Sequence, residues 1–257
     1  MIHRSMSNKQ THPLAGFTIL NTRPSNAAQP LTDAIETLGG KCLNLPSFEI
    51  SPLTVRNTEF QSKAQQCDYW FFMSQYAVNY AVPLIKQCHL DLPPYIAAVG
   101  KTTAQTLKVH HLPVHIIPEK ASSEGLLALN NICAKNKKVT FFRGKAGRTL
   151  LDDILRKQGA TVNEIQLYER IPAVWTDAVY EPIAQSKIDL ILGMSVDSLR
   201  YLFNNLQAAE KKRFQDIPWL LMSRRVAKEA RILGIKSFYI VNDSDILKSL
   251  VQWVLYS

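Results

Sequence analysis

No apolar run in the 257 residues approaches the roughly 20 needed to cross a bilayer. The longest candidates, such as SFYIV at 237–241, have strand length. The opening stretch MIHRSMSNKQTHPL has no apolar h-region and reads as a disordered lead-in over 1–15. A cytoplasmic protein without membrane association is the expectation. The four cysteines, Cys42, Cys67, Cys88 and Cys133, form no C-x-x-C pair, which argues against a zinc site and a disulfide scaffold. The 10 glycines and 13 prolines follow no period, so collagen-like and linker-rich classes are excluded.

Several catalytic signatures are missing too. VGKTTAQ at 99–105 resembles the tail of a P-loop, but Tyr95 stands where the first glycine belongs. No G-x-G-x-x-G follows a strand pattern, which leaves out a dinucleotide cofactor, and there is no G-x-S-x-G elbow. His110, His111 and His115 lie close in sequence, but Pro113 breaks the helix that would align 111 with 115. No cofactor or metal is expected.

What is present is an ordinary globular composition, 46% hydrophobic, 20% charged and 9% aromatic. The net charge is +9, with about +2 on residues 1–128 and +7 on 129–257. That balance favours an anionic partner: an acidic small molecule, nucleic acid or an acidic membrane surface. The basic run Lys211-Lys212-Arg213 sits in a polar connection and reads as solvated surface, so nucleic acid is not the expected partner.

The most informative feature is an internal repeat. Residues 18–50 align without a gap on 138–170, matching Arg23 with Arg143, Asp33 with Asp153, Gly39 with Gly159, Phe48 with Tyr168 and Glu49 with Glu169. Both copies parse as strand, helix, strand, with leucines and isoleucines at helical spacing and a glycine after the helix that fits a C-cap. The match continues: 68–81 with 189–202, 95–107 with 218–230, and 114–130 with 236–252. Each segment is a strand followed by a helix. The pattern predicts a doubly wound α/β unit with a parallel sheet, present twice. Pro46, Pro52 and Pro172 mark the breaks after each opening β-α-β unit.

In open α/β sheets ligands bind beyond the carboxyl ends of the strands. Here those ends carry Thr22-Arg23, Ser74, Gly100-Lys101-Thr102-Thr103, Ser122-Ser123, Arg143-Gly144, Ser195 and Ser223-Arg224-Arg225. Each opens a predicted helix, where free N–H groups and a partial positive charge favour anions. The competing reading is simple N-capping, which serine and threonine supply at about 1 kcal/mol each. The recurrence of the pattern turns the argument towards carboxylate or phosphate sockets. Candidate binding residues are Arg23, Ser74, Gly100, Lys101, Thr102, Thr103, Ser123, Arg143, Ser195, Ser223 and Arg224.

The ordered set NTRP, FFMSQYAVNYA, AAVGKTTAQTL, PEKASSEGLL, LYER and LLMSRRVAKEARILGI resembles the uroporphyrinogen-III synthase family from about residue 16 to the C-terminus. The resemblance implies two α/β lobes joined by a two-stranded connector, with a ligand cleft between the lobes. Residues 16–45 and 173–257 would form one lobe, 50–167 the other, and 46–49 and 168–172 the connectors. The repeat alone is equally consistent with two consecutive halves. The implied substrate is hydroxymethylbilane, a linear tetrapyrrole with carboxylate side chains. It would close with loss of water and inversion of the last ring, with no cofactor, on a monomer. Tyr168 is the candidate catalytic donor to the departing hydroxyl, since a tyrosine phenol keeps its proton at pH 7. Its partner in the repeat is Phe48, so the phenol oxygen is the added feature. A non-catalytic binder of acidic small molecules is the alternative reading.

Overall fold

The computed structural model describes residues 12–256, apart from 130, 131, 133, 146, 148 and 242–244. Cys133 therefore lies outside the described residues, as does most of the expected lead-in. The chain divides into two units. One takes the chain up to Glu49 together with Ile171 onward, and the other is Ile50–Arg170.

The first unit is built on a five-stranded sheet. Its strands are β1 (Thr18–Asn21), β2 (Lys41–Asn44), β8 (Leu190–Gly193), β9 (Trp219–Leu221) and β10 (Phe238–Ile240), in the order β10-β9-β8-β1-β2. Every pairing in it is parallel. Its helices are α1 (Ser25–Thr37), α7 (Asp177–Gln185), α8 (Val196–Asn205), α9 (Ala208–Asp216), α10 (Arg224–Ile232) and α11 (Ile246–Tyr256). Leu20, Ile191 and Leu221 face a core shared with Leu199, Leu202 and Phe214. Ile19, Leu190 and Leu220 face a second core with Leu31, Ile35 and Leu250. A sheet covered on both faces needs strands that are apolar throughout, and all four residues of β8 are buried.

The second unit has a sheet of β3 (Phe48–Pro52), β4 (Tyr69–Phe72), β5 (Tyr95–Ala98), β6 (Lys138–Gly144) and β7 (Thr161–Pro172), in the order β3-β7-β6-β4-β5. The β4–β5, β4–β6 and β6–β7 pairs are parallel. Its helices are α2 (Asn57–Ala64), α3 (Gln75–Gln87), α4 (Lys101–Val109), α5 (Ser123–Leu127) and α6 (Leu150–Lys157). The YWFF sequence of β4 is fully buried. Trp70 and Phe72 pack on one face against Val78 and Leu107, and Tyr69 and Phe71 on the other against Phe141 and Leu155. Full burial of each such aromatic side chain contributes about 1.5–3 kcal/mol.

Helix α1 stops at Gly39 and α6 at Gly159, with φ of +85° and +91°. In both places the residue after the glycine donates its N–H back to the helix, Gly40 to Ile35 and Ala160 to Leu155, the pattern of a left-handed C-cap. The strand expected at 114–117 is reduced to a single parallel bridge between Ala97 and Ile116. There the Ile96 amide donates to the His115 ring Nδ1 at 3.0 Å, so a side chain takes a place that a ladder would fill.

Candidate functional site

The strand orders place a topological switch in each unit. In the first, β1 and β8 are neighbours but their crossovers run to opposite sides. In the second, β6 and β4 stand in that relation. Crevices for ligands open beyond the carboxyl ends of the strands at such points.

In the second unit the end of β4 leads into Ser74, the N-cap of α3, whose Oγ accepts from the Ala77 amide at 3.0 Å. The same Oγ lies 2.8 Å from the Tyr168 phenol oxygen. Tyr168 reaches it because of an irregularity between β6 and β7. Arg143 pairs with Gln166, but Gly144 pairs with Tyr168, so one extra residue is inserted. Such a bulge re-aims a side chain. Ile165, Leu167 and Tyr168 accordingly all face one core. The Tyr168 ring lies flat against Gly144: a Cβ there would fall 2.6 Å from Cε2. The Tyr76 and Tyr80 rings sit 5.6 and 6.2 Å away. The Lys145 amide donates to the Tyr168 carbonyl at 2.7 Å, and its ammonium pairs with Glu169 at 3.0 Å.

Gly100 caps α4 from the end of β5 with no side chain, and a Cβ there would stand 2.6 Å from that of Ala121. Lys101 and Thr102 are exposed in the first turn. Thr103 and Ser123 are 4% and 3% exposed. The cap of α5 is Ser122, whose Oγ accepts from Gly125.

In the first unit, Thr22 is buried and donates to the Leu192 carbonyl at 2.7 Å, tying β1 to β8. Arg23 follows, half-buried, at one wall of a groove of about 400 Å³ that Leu31, Ala34, Asp245 and Ile246 also line. Ser195 caps α8 through the Ser198 amide at 3.0 Å, and Ser223 caps α10 through Val226 at 3.3 Å. Arg224 is exposed.

Arg143 corrects the sequence reading. Its side chain is 2% exposed, with Nη2 2.5 Å from Asp152 Oδ1, Nη1 3.9 Å from Glu164, and the guanidinium over the Phe141 ring. Carboxylates on α6 and β7 hold the cation inside, so it does not offer charge to a ligand. Burial pushes the Asp152 carboxyl above the usual aspartate range, against the opposing pull of Arg143.

Burial pushes the Cys42 thiol up to about 11, so it is no ready nucleophile. Among the described residues, no group of three His, Cys, Asp or Glu is placed to hold a metal ion. No helix of the described residues is long and apolar enough to cross a membrane.

A sequence profile described as uroporphyrinogen-III synthase HemD matches residues 29–251. The chain belongs to the uroporphyrinogen-III synthase family. The uroporphyrinogen-III synthase of Proteus mirabilis is 31% identical over 202 residues, 74% of this chain and 98% of that protein. The Escherichia coli enzyme of the same name is 29% identical over 245 residues, 89% and 96% of the two chains. Among solved structures, a mutant uroporphyrinogen III synthase from Thermus thermophilus superposes with a TM-score of 0.62 at 19% identity, covering 94% of this chain and 98% of that one. The Helicobacter pylori uroporphyrinogen-III synthetase gives 0.60 at 18% identity, covering 94% and 100%. These two structures share the α/β fold with parallel sheets. Uroporphyrinogen-III synthase activity, an enzyme function of tetrapyrrole synthesis, is therefore the activity of this chain.

Proposed function

We propose that this chain closes hydroxymethylbilane to uroporphyrinogen III with Tyr168 as the donor to the departing hydroxyl. The 2.8 Å contact of Ser74 with Tyr168 carries this reading. Ser74 Oγ already accepts the Ala77 amide, so its own proton can point at the phenol oxygen. The phenol proton is then free to be aimed at the substrate. As the C–O bond breaks, that hydrogen bond strengthens on the oxygen leaving as water. The electron-rich pyrrole supplies the nucleophile, so the remaining task is to hold the chain in the geometry that inverts the last ring.

Substrate carboxylates would be held by Ser74, Gly100, Lys101 and Thr102 in the second unit and by Arg23, Ser195, Ser223 and Arg224 in the first. Thr103 and Ser123, both buried, would contribute backbone or hydroxyl donors. Helix N-termini favour such anions. One chain carries the whole set, and we take it as the working unit.

We further propose that the two units are copies of one duplicated fold, with 46–49 and 168–172 as connectors between 16–45 plus 173–257 and 50–167. The orders β2-β1-β8-β9-β10 and β7-β6-β4-β5, with the Ile116 bridge beyond β5, support the duplication. So do Asp189 and Asp68, aligned in the repeat. Each precedes the strand next to the switch and accepts an amide from its neighbour, Thr18 at 2.9 Å and Lys138 at 2.8 Å.

The test is to incubate the purified protein with freshly generated hydroxymethylbilane and separate the oxidised products by isomer. Type III product above the uncatalysed background is expected. Type I alone, at the uncatalysed rate, would refute the reading and leave a non-catalytic binder.

A further inference from the structure

The ends of β1 and β6 rest on buried and half-buried polar groups, two of them at matching positions of the repeat. Under the first, Asn21 donates to Asn44 Oδ1 at 2.9 Å, and Thr32 of α1 donates to the same oxygen at 3.0 Å. Asn21 Oδ1 accepts the Arg23 amide at 3.2 Å, which fixes the loop backbone. Under the second, Asp152 of α6 and Glu164 of β7 hold Arg143. Thr32 aligns with Asp152 and Asn44 with Glu164. The same helix and strand positions thus form a neutral cluster in one unit and a charged one in the other.

The charged version is a poor device for stability. Desolvating two ions offsets most of their attraction, and apolar groups of similar size often serve as well or better. Asp152 Oδ2 is buried and has no hydrogen-bond partner among the described residues, a further cost. What the pair does supply is direction. Its aspartate lies in the first turn of α6, and its arginine immediately precedes Gly144. A Cβ on Gly147 would meet the arginine stem at 3.1 Å, so the Gly147 backbone packs directly on that side chain. Next in the chain, Gly144 packs against the Tyr168 ring and the Lys145 amide donates to the Tyr168 carbonyl.

We propose that Arg143 and Asp152 are positioning residues, a buried clamp that sets the end of β6, where Gly144 holds the Tyr168 ring. The proposal rests on the reading of Tyr168 given above. It gives Arg143 a role in the reaction that involves no contact with substrate.

The experiment compares the full chain with the apolar pair Arg143→Met/Asp152→Leu and the neutral pair Arg143→Gln/Asp152→Asn. It reads the melting midpoint, kcat and KM separately, and the fraction of type III product. The expected result is a midpoint close to that of the parent, KM little changed, kcat lower by about ten- to a hundredfold, and a larger share of type I product. Displacement by on the order of 1 Å is enough for such a loss. Pairs that fold with unchanged kcat and isomer fraction would overturn the proposal. So would failure of both pairs to fold, which makes the clamp structural. Tyr168→Phe is assayed in parallel. Normal turnover there removes the role of the phenol, while the clamp is still judged on its own isomer fraction.

Discussion

Ser74 and Tyr168 are 94 residues apart in the chain, yet their hydroxyl oxygens lie 2.8 Å from each other, one just beyond β4 and the other at the bulge within β7. Either oxygen can be the donor. Because the serine also accepts an amide, the arrangement in which it donates to the phenol satisfies both groups and leaves one proton to direct outward. Tyr168→Phe keeps the ring packing on Tyr76 and Gly144 and removes the hydroxyl, with its proton and its contact to Ser74. We expect kcat to fall by about 10²-fold, within the range for a positioned proton donor, with KM little changed. Steady-state kinetics with isomer analysis checks this, and parental kcat in a folded variant would remove Tyr168 from the chemistry.

Ser74 has two tasks, so its loss has two signatures. Ser74→Ala deletes the N-cap of α3, which costs about 1 kcal/mol, and withdraws the partner of a phenol that is 3% exposed. The denaturation midpoint in urea should drop and kcat should fall, though less than in Tyr168→Phe. Ser74→Thr keeps the oxygen and should restore most of both. A threonine variant as impaired as the alanine one would show that the hydroxyl is not what matters.

Gly144 carries no positive φ, so its requirement is spatial. The nearest ring carbons of Tyr168 leave no room for a methyl group, at 2.6 and 2.7 Å from a Cβ. Gly144→Ala must push the ring off Gly144 and stretch the contact with Ser74. Overpacking of this kind costs about 1–3 kcal/mol. The expected outcome is a lower melting temperature together with a loss of kcat near that of Tyr168→Phe. A variant equally destabilised but fully active would mean that ring placement is not critical.

The sequence shows the β-α-β units because Leu31, Ile35, Leu151 and Leu155 recur at helical spacing and Gly39 and Gly159 end the helices. It shows the serines at strand ends because capping is a local interaction. It does not show the bulge beside Gly144, since nothing within β7 marks the inserted residue, and the meeting of Tyr168 with Ser74 depends on it. The inward turn of Arg143 was equally hidden. Its partners Asp152 and Glu164 come from a different helix and strand, and its repeat mate Arg23 stands half-buried in its loop. Helix α2 leaves no periodic trace in the sequence because it buries only Phe60 and Ala64.

Acid sensitivity should centre on Glu229. This carboxylate of α10 is 7% exposed and receives two hydrogen bonds of 2.8 Å from the Arg200 guanidinium on α8. Those bonds hold its pKa below the usual glutamate range, outweighing burial, which acts the other way. A carboxylate with a depressed folded pKa contributes stability that is fully present above the unfolded value, about 4.3. That contribution is lost as pH falls from there through the folded pKa. The melting temperature should therefore decline as pH drops below about 4.5. In Arg200→Leu the depression disappears and burial raises the pKa instead. The variant should melt lower than the parent at pH 7, and the gap should narrow as pH falls below about 4.3 and on through the depressed folded pKa of the parent. Calorimetry across this range at low salt measures the gap, and an offset that stays constant with pH would show that the pair contributes by packing rather than by charge.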